Sequence, residues 1–406
     1  MKKLKQLANW RFNNAGIIAT IVLIETLGMF ATDMYMPALP GMAEFFHVSD
    51  SIANLTIFVF FIFNPVGMLL FGTLSDKYGR KPMLYLGIGA FIISSLLCAI
   101  TTDIWALIGL RCIQAMSAGA LNVIGMAIAK DCFETKVREK VLMFIQAAFV
   151  VGPIIAPIVG SQLLLIASWR SNFIALAGIG VISLLMISRL KESLPKRERI
   201  TGSIVKSIQH LGAILKEKEF MTFLLVVALF ISLPFAAYLS VSSYVYEGYF
   251  GLSPQMYSLF FGATAGLSII GMIIYRLVES KITHKVIVSI LINLAFSVGV
   301  SLLLFGGSSV VAFFICIVVF YICSTIVRPF ATNMLLGINK HDAGSASAVI
   351  NCSFNLIGCI GMIPVMIIGG NYIVSLGILI VIGAVASMTL WIYFRRSKLE
   401  IPALNS

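Results

Sequence analysis

Charge is scarce in this chain. Only 11% of its 406 residues are Asp, Glu, Lys or Arg, where a soluble domain carries roughly 25%. No polar tract is long enough to fold as a soluble domain of useful size. Histidine is rarer still, four residues and none clustered, which leaves a metal site without its usual ligands. The seven cysteines, at 98, 112, 132, 316, 323, 352 and 359, lie in or beside apolar runs, so no disulfide framework is expected. There is no phosphate-cradling loop, no His-Glu-x-x-His pair, no Ser/His/Asp set and no large loop to hold one. Neither an enzyme nor a bound cofactor is expected.

What the chain has is length without polarity. It is 59% hydrophobic, with a mean hydropathy of +1.01. A membrane span needs about 20 apolar residues, and twelve runs qualify: roughly 15–37, 51–73, 82–101, 104–129, 141–166, 171–190, 220–246, 256–276, 286–305, 309–336, 345–369 and 372–394. Backbone groups in lipid must be satisfied within helices or closed barrels. Continuous runs of this length fit helices, because barrel strands would alternate over about ten residues. The first run is too long for a cleaved signal peptide and eleven more follow it.

The basic excess, a net charge of +12, is a matter of placement. With both termini inside, the inner segments hold 26 of the 29 Lys and Arg, and the outer loops hold one, Arg170. That is the positive-inside pattern. It reports topology and anionic lipid rather than a nucleic-acid partner. One long polar interruption, 191–219, divides the runs six and six. Within it Ile204, Ile208, Leu211 and Leu215 recur at helical spacing opposite Lys206, Gln209 and Lys216, as in a helix lying on the inner surface. The expected layout is therefore an N-terminal bundle (1–190), a cytoplasmic linker (191–219) and a C-terminal bundle (220–406). Such halves suit repeats around a midplane site.

Two carboxyls, Glu25 and Asp33, interrupt the first run, with no Lys or Arg between Phe12 and Gly72 to pair with them locally. Acids at membrane depth usually mark an ion or proton path. Desolvation disfavours a charged carboxyl, a property useful in a proton carrier. The fourth run carries Arg111, Gln114, Ala118 and Asn122. At 100° per residue Arg111, Ala118 and Asn122 fall within about 20° of one line. Arg111 and Asp33 reach comparable depths, which allows a buried or cavity-facing Asp33–Arg111 pair, alongside the alternative that Arg111 merely holds two helices together. The loop after the second run reads Gly72-Thr-Leu-Ser-Asp76-Lys-Tyr-Gly79-Arg80-Lys81. Asp76 and Arg80 suit a charge network at a helix end, and Gly79 suits a left-handed turn. The fifth run holds Gly152-Pro153-Ile-Ile-Ala156-Pro157-Ile-Val-Gly160, with two prolines and small residues for kinked, close packing.

The spacing of the Gly72–Lys81 loop resembles the signature loop of the major facilitator superfamily. That resemblance implies an all-α membrane protein of twelve transmembrane helices in two six-helix bundles. It gives Gly72, Asp76, Gly79, Arg80 and Lys81 a gating role. Gly152, Pro153, Pro157 and Gly160 resemble the motif of its proton-coupled drug antiporters, with Ala156-Pro157 standing where many members have Gly-Gly. Arg111 and Gln114 meet the Arg-x-x-Gln-Gly pattern of the fourth helix, but Ala115 replaces its glycine. Asp33-Met-Tyr-Met-Pro37-Ala-Leu-Pro40, Ala343–Ala348, and Trp169-Arg170 followed by Phe173 are similar to the Bcr/CflA group of bacterial drug-resistance transporters. The likeness implies that Glu25, Asp33 and Arg111 couple protons to substrate.

The expected function is thus efflux of small amphipathic drugs in exchange for protons by alternating access, in the bacterial inner membrane, as a monomer among lipids. Tyr35, Gln114, Asn122, Tyr238, Asn351 and Asn355 are the polar candidates for the substrate cavity. Phe58, Phe61, Met29 and Met126 are the apolar ones. Arg328, just before Pro329, either snorkels to the inner face or lines the cavity. An uptake symporter and an exporter of one metabolite or siderophore share the same fold and remain open.

Overall fold

The structure, a computed structural model, describes residues 14–199, 214, 216–278, 282–338, 343–368 and 370–397. Among these, twelve helices are long and apolar enough to cross a membrane. Spans one to six are Asn14–Phe45, Asp50–Tyr78, Arg80–Ile100, Ile104–Cys132, Val137–Ile166 and Arg170–Arg189. Spans seven to twelve are Lys218–Tyr249, Pro254–Val278, His284–Phe305, Val310–Ile338, Val349–Ile367 and Tyr372–Arg396. The chain is an all-helical, multi-pass membrane protein. It divides into two compact units, Met1–Ser207 and Ile208–Ser406. Of the surface helix expected in the linker, Ile204, Ile208, Leu211 and Leu215 lie outside the described residues.

Polar side chains inside the helices serve the backbone. Thr20, Ser117 and Ser183 donate to carbonyls four residues back at 2.8–2.9 Å, so their hydroxyls are satisfied in apolar surroundings. Where helices begin, Asp103, Ser253 and Asn371 accept from the backbone N–H three residues on, which caps otherwise orphaned donors.

Three spans are not the continuous helices their apolar runs had suggested. Span eight is interrupted at Ser268, between Pro254–Leu267 and Ile269–Val278, and spans one and seven break too. Span one stops being α-helical at Asp33, passes through a 3-10 turn at Met36–Ala38 and resumes as Leu39–Phe45. Pro37 and Pro40 sit at the start of those two pieces, where a missing N–H costs least. Span seven breaks at Ile231, between Lys218–Phe230 and Ser232–Ser243, and ends in a π turn at Tyr244–Tyr249. Pro234 has no N–H for the carbonyl of Phe230, which accounts for that break.

Glycines set the closest helix contacts, and they do so in matching positions of the two units. In the N-terminal unit a side chain on Gly160 of span five would overlap the Met34 carbonyl of span one. In the C-terminal unit Gly361 of span eleven is equally tight against the Leu233 carbonyl of span seven. Gly67 abuts Met116 across spans two and four, as Gly271 abuts Thr325 across spans eight and ten. Each half thus locks its first helix to its fifth and its second to its fourth, a repeat the sequence hardly shows. Close approach of this kind supplies the dispersion contacts that replace the hydrophobic effect in lipid.

Gly160→Ala should therefore lower the thermal midpoint of the detergent-purified protein by several degrees, from about 1–3 kcal/mol of overpacking. Gly89→Ala, with nothing within 4 Å of the added carbon, should leave it unchanged or slightly raised. Fluorescence-detected size exclusion after heating measures both.

Candidate transport site

Glu25 lies near the middle of span one and is 2% exposed. Its Oε1 has no hydrogen-bond partner. The carboxyl fits because the residue opposite it, Gly125 of span four, has no side chain: a Cβ there would stand 2.7 Å from Oε1 and 3.2 Å from Ile24 Cδ1. Asn122, one turn before Gly125, reaches the Glu25 backbone carbonyl at 3.3 Å when its amide nitrogen faces span one. Asp33 is also buried, and its Oδ1 accepts from the Thr32 hydroxyl at 2.9 Å.

The Asp33–Arg111 pair that their depths allow does not form. Arg111, fully buried, instead donates through Nη1 to the Ala31 carbonyl at 2.9 Å and to Gln114 Oε1 at 2.6 Å, and through Nε to the Thr56 carbonyl at 3.3 Å. Tyr35, Phe60 and Phe173 surround its guanidinium at 4.6–5.9 Å from their ring centres. The reason lies in the break of span one. A helix that stops at Asp33 leaves carbonyls of its last turn without i+4 donors. Arg111 takes the one at Ala31, and Asn172 Nδ2 takes the one at Met34 at 3.1 Å. Arg111 is a cation at a helix C-terminus, where the dipole favours it.

That cage also absorbs two cavity candidates. Tyr35 is fully buried, with its hydroxyl 2.7 Å from Thr56 Oγ1. Gln114 bridges Arg111 to Ser95 Oγ at 2.7 Å. In the other unit Tyr238 is fully buried, stacked on Phe261 with ring centres 6.2 Å apart. These three pack in their own units rather than line an opening. Asn355 donates to the Asn351 carbonyl on its own helix at 3.0 Å. Met126 is exposed, and Phe58, Phe61 and Met29 are half-buried.

At the other end of the N-terminal unit, the loop after span two forms a denser network than its own residues provide. Arg80 reaches Asp76 at 2.6 Å, Asp131 at 3.1 Å and Ser75 Oγ at 2.7 Å. Glu192 accepts from the backbone N–H of Arg80 and Lys81 at 2.9 and 3.3 Å, and pairs with Arg199 at 3.5 Å. Lys81 Nζ bonds the carbonyls of Ser188 and Leu190. Gly79 turns the chain at φ +107°, where a side chain would run into Glu192 and Arg199. Gly72 presses on Val123 of span four.

Residues 21–362 match the Major Facilitator Superfamily. The chain belongs to that superfamily. Among its relatives is an uncharacterized MFS-type transporter, YdgK, of Bacillus subtilis, 32% identical over 89% of this chain and 91% of that one. The multidrug resistance protein MdtL of Klebsiella pneumoniae is 33% identical over 43% of this chain and 44% of its own. A chloramphenicol resistance protein of Pseudomonas aeruginosa is 30% identical over 43% and 42%. Among solved structures, a D-xylose–proton symporter superposes with a TM-score of 0.71 at 16% identity, covering 95% of this chain and 99% of that one. A bacterial homologue of the lysosomal transporter Spinster reaches 0.74 at 14%, covering 95% and 97%. At such identities the likeness is one of fold.

For this major facilitator transporter, the sequence pointed to Glu25, Asp33 and Arg111 but not to what holds them. Gly125 was findable: three residues beyond Asn122, it continues the line through Arg111, Ala118 and Asn122. Asp131 and Glu192 were hidden because their segments stand out for basic residues. Thr56, Phe60 and Phe173 carry no signal, being ordinary residues of apolar helices.

Arg80→Ala should free Asp76 and Asp131 together and speed amide exchange at 78–81 and 189–199 by about tenfold, a local opening. Arg80→Lys should recover only part, since an ammonium cannot fork between two carboxylates as a guanidinium does. Hydrogen exchange read by mass spectrometry tests both.

Proposed function

We propose that this transporter exports amphipathic drugs across the bacterial inner membrane in exchange for protons, in the manner of the Bcr/CflA group, with both termini in the cytoplasm. The observation that carries this reading is the Glu25 carboxyl, enclosed in the N-terminal unit with an unpartnered oxygen facing Gly125. No cation compensates it among the described residues, which suits a group that carries a removable proton rather than a standing charge. The names of the MdtL and chloramphenicol-resistance relatives support drugs as the cargo.

In this scheme a drug entering from the cytoplasm or inner leaflet favours release of the Glu25 proton inward, and protonation from outside favours release of the drug. Asp33 is the second acid of span one and shares the proton-binding role. Arg111, bonded to neutral groups, holds the broken end of span one against spans two and four without neutralising either acid. The Gly152–Gly160 segment seats span five against Met29 and Met34 of span one, so movement of span one near its acids must be felt by span five. The Arg80 network is the cytoplasmic latch of the cycle, which runs by alternating access.

The test is proton movement in proteoliposomes holding an imposed gradient, with chloramphenicol and a panel of amphipathic dyes added. Drug should dissipate the gradient with wild type, and at least about tenfold more slowly with Glu25→Gln. Gly125→Ala, which crowds the carboxyl without removing it, should impair exchange as well. If no compound moves protons with wild type, drug–proton exchange is wrong, and the direction of labelled flux then separates uptake from export of a single metabolite. If both proteins respond equally, Glu25 is structural and Asp33 takes its place.

A further inference from the structure

Among the described membrane-embedded charges that the transport scheme leaves unused, Arg328 is the deepest in its span. Arg328 sits ten residues before the end of the helix Val310–Ile338, about 15 Å from that end by helical rise. An arginine at such depth is costly unless it is paired or meets water. Among the described residues no carboxylate lies within ion-pair distance of it. Its guanidinium rests over the ring of Phe354 in span eleven, 5.7 Å from the centroid.

Exposure along span ten shows which way the residue points. Its other exposed residues, among the side chains described, are Val311, Ile315, Asn333 and Gly337. At 100° per residue these four fall within an arc of about 80°, the stripe that meets lipid. Arg328 is exposed too, yet it lies about 140° from the centre of that arc. It is in line with Tyr321 and Ser324, which are 7% and 6% exposed. Arg328 is therefore exposed on a side where the helix otherwise packs. Lipid does not cover it there, and snorkelling along the lipid stripe does not explain it. Phe354 beneath it is 3% exposed, so the ring is a fixed platform. Asn351 and Asn355 flank Phe354 on the same helix, both half-buried.

We propose that Arg328 and Phe354 form a binding site of the C-terminal unit for the oxyanion of an aromatic amphiphile, a carboxylate above all. The site makes the cargo anionic or neutral and disfavours permanent cations. A guanidinium fork matches a carboxylate through two parallel hydrogen bonds. The buried ring holds the guanidinium in place, and the guanidinium's own flat face stacks on the aromatic body of the same compound. The anion also removes the cost of an unpaired cation at membrane depth, whereas a cationic compound would add a like charge to it. This inference names the substrate class of the export reading and rests on that reading only for the direction of transport.

The test is equilibrium binding to the full-length protein in detergent, followed by fluorescence. The probes are 1-pyrenebutyrate, its primary amide and 1-pyrenebutylamine, which share one apolar body and differ in charge. Wild type should bind the acid about tenfold more tightly than the amide, and the amine most weakly. Arg328→Gln should bring acid and amide within about twofold of each other while leaving the amide unchanged, and Arg328→Lys should fall between. Equal binding of acid and amide by wild type overturns the proposal, as does an acid preference that survives Arg328→Gln. Should the glutamine variant not purify, the wild-type order still decides, because an amine bound as tightly as the acid is incompatible with the site. The assay needs no proton gradient. An acid preference without drug–proton exchange would leave the site standing in another kind of transporter, and exchange without the preference would remove the site alone.

Discussion

In lipid, a polar group that finds no partner has no water to turn to. That constraint organises this chain more than any hydrophobic preference, because the solvent is as apolar as the side chains. Hydroxyls fold back onto carbonyls along the helices, and glycines bring backbones together where no side chain could intervene. Against this background the exceptions stand out. Among the described residues, Glu25 Oε1 and Arg111 Nη2 in one unit and Glu247 Oε1 in the other are some of the buried atoms without a hydrogen-bond partner, and Arg328 is exposed with no carboxylate within ion-pair distance.

The break in span one links fold to chemistry. Proline at 37 and 40 ends the regular helix near Asp33, and the carbonyls freed by that ending are what hold Arg111 and Asn172. The same guanidinium could have paired with Asp33 across the gap. It does not, because three neutral acceptors and three aromatic faces already surround it. Helix ends present partial negative charge, so a cation can be held there without consuming a carboxylate. Among the described residues the outcome leaves both acids of span one without a standing counter-charge, the condition a coupling acid requires.

The spans were legible in the sequence because a membrane helix advertises itself by length and apolarity alone. Their ends agree with the apolar runs to within a few residues, except where Pro37 and Pro234 break a run that hydropathy reads as continuous. The acids were legible for the same reason, as costly residues in an apolar context. Partner choice was not. Helical rise and 100° spacing correctly put Asp33 and Arg111 at similar depth, but they say nothing of the Ala31 carbonyl, whose freedom depends on a tertiary break. The loop network was half visible: Asp76 and Arg80 share one segment, while Asp131 comes from the end of span four and Glu192 from the irregular segment after span six. The burial of Tyr35, Gln114 and Tyr238 was likewise invisible, since a polar residue on an apolar helix reads alike whether it faces a neighbour or water.

The two halves repeat each other's packing but not each other's charge. Gly160 and Gly361 make the same contact, as do Gly67 and Gly271, so the scaffold was duplicated closely. Among the described residues, however, the spans of one unit carry two buried acids and an arginine committed to backbone carbonyls, and those of the other carry Arg328 over an aromatic ring and Glu247 in the closing π turn of span seven. Packing positions tolerate little change, since an added methyl at either glycine overlaps a carbonyl. Charged positions are where duplicated halves are free to diverge, because each is satisfied by a few local contacts rather than by the whole interface. A division of labour follows from that freedom: the acids of one half are suited to protons, and the exposed Arg328 of the other is suited to an anionic group.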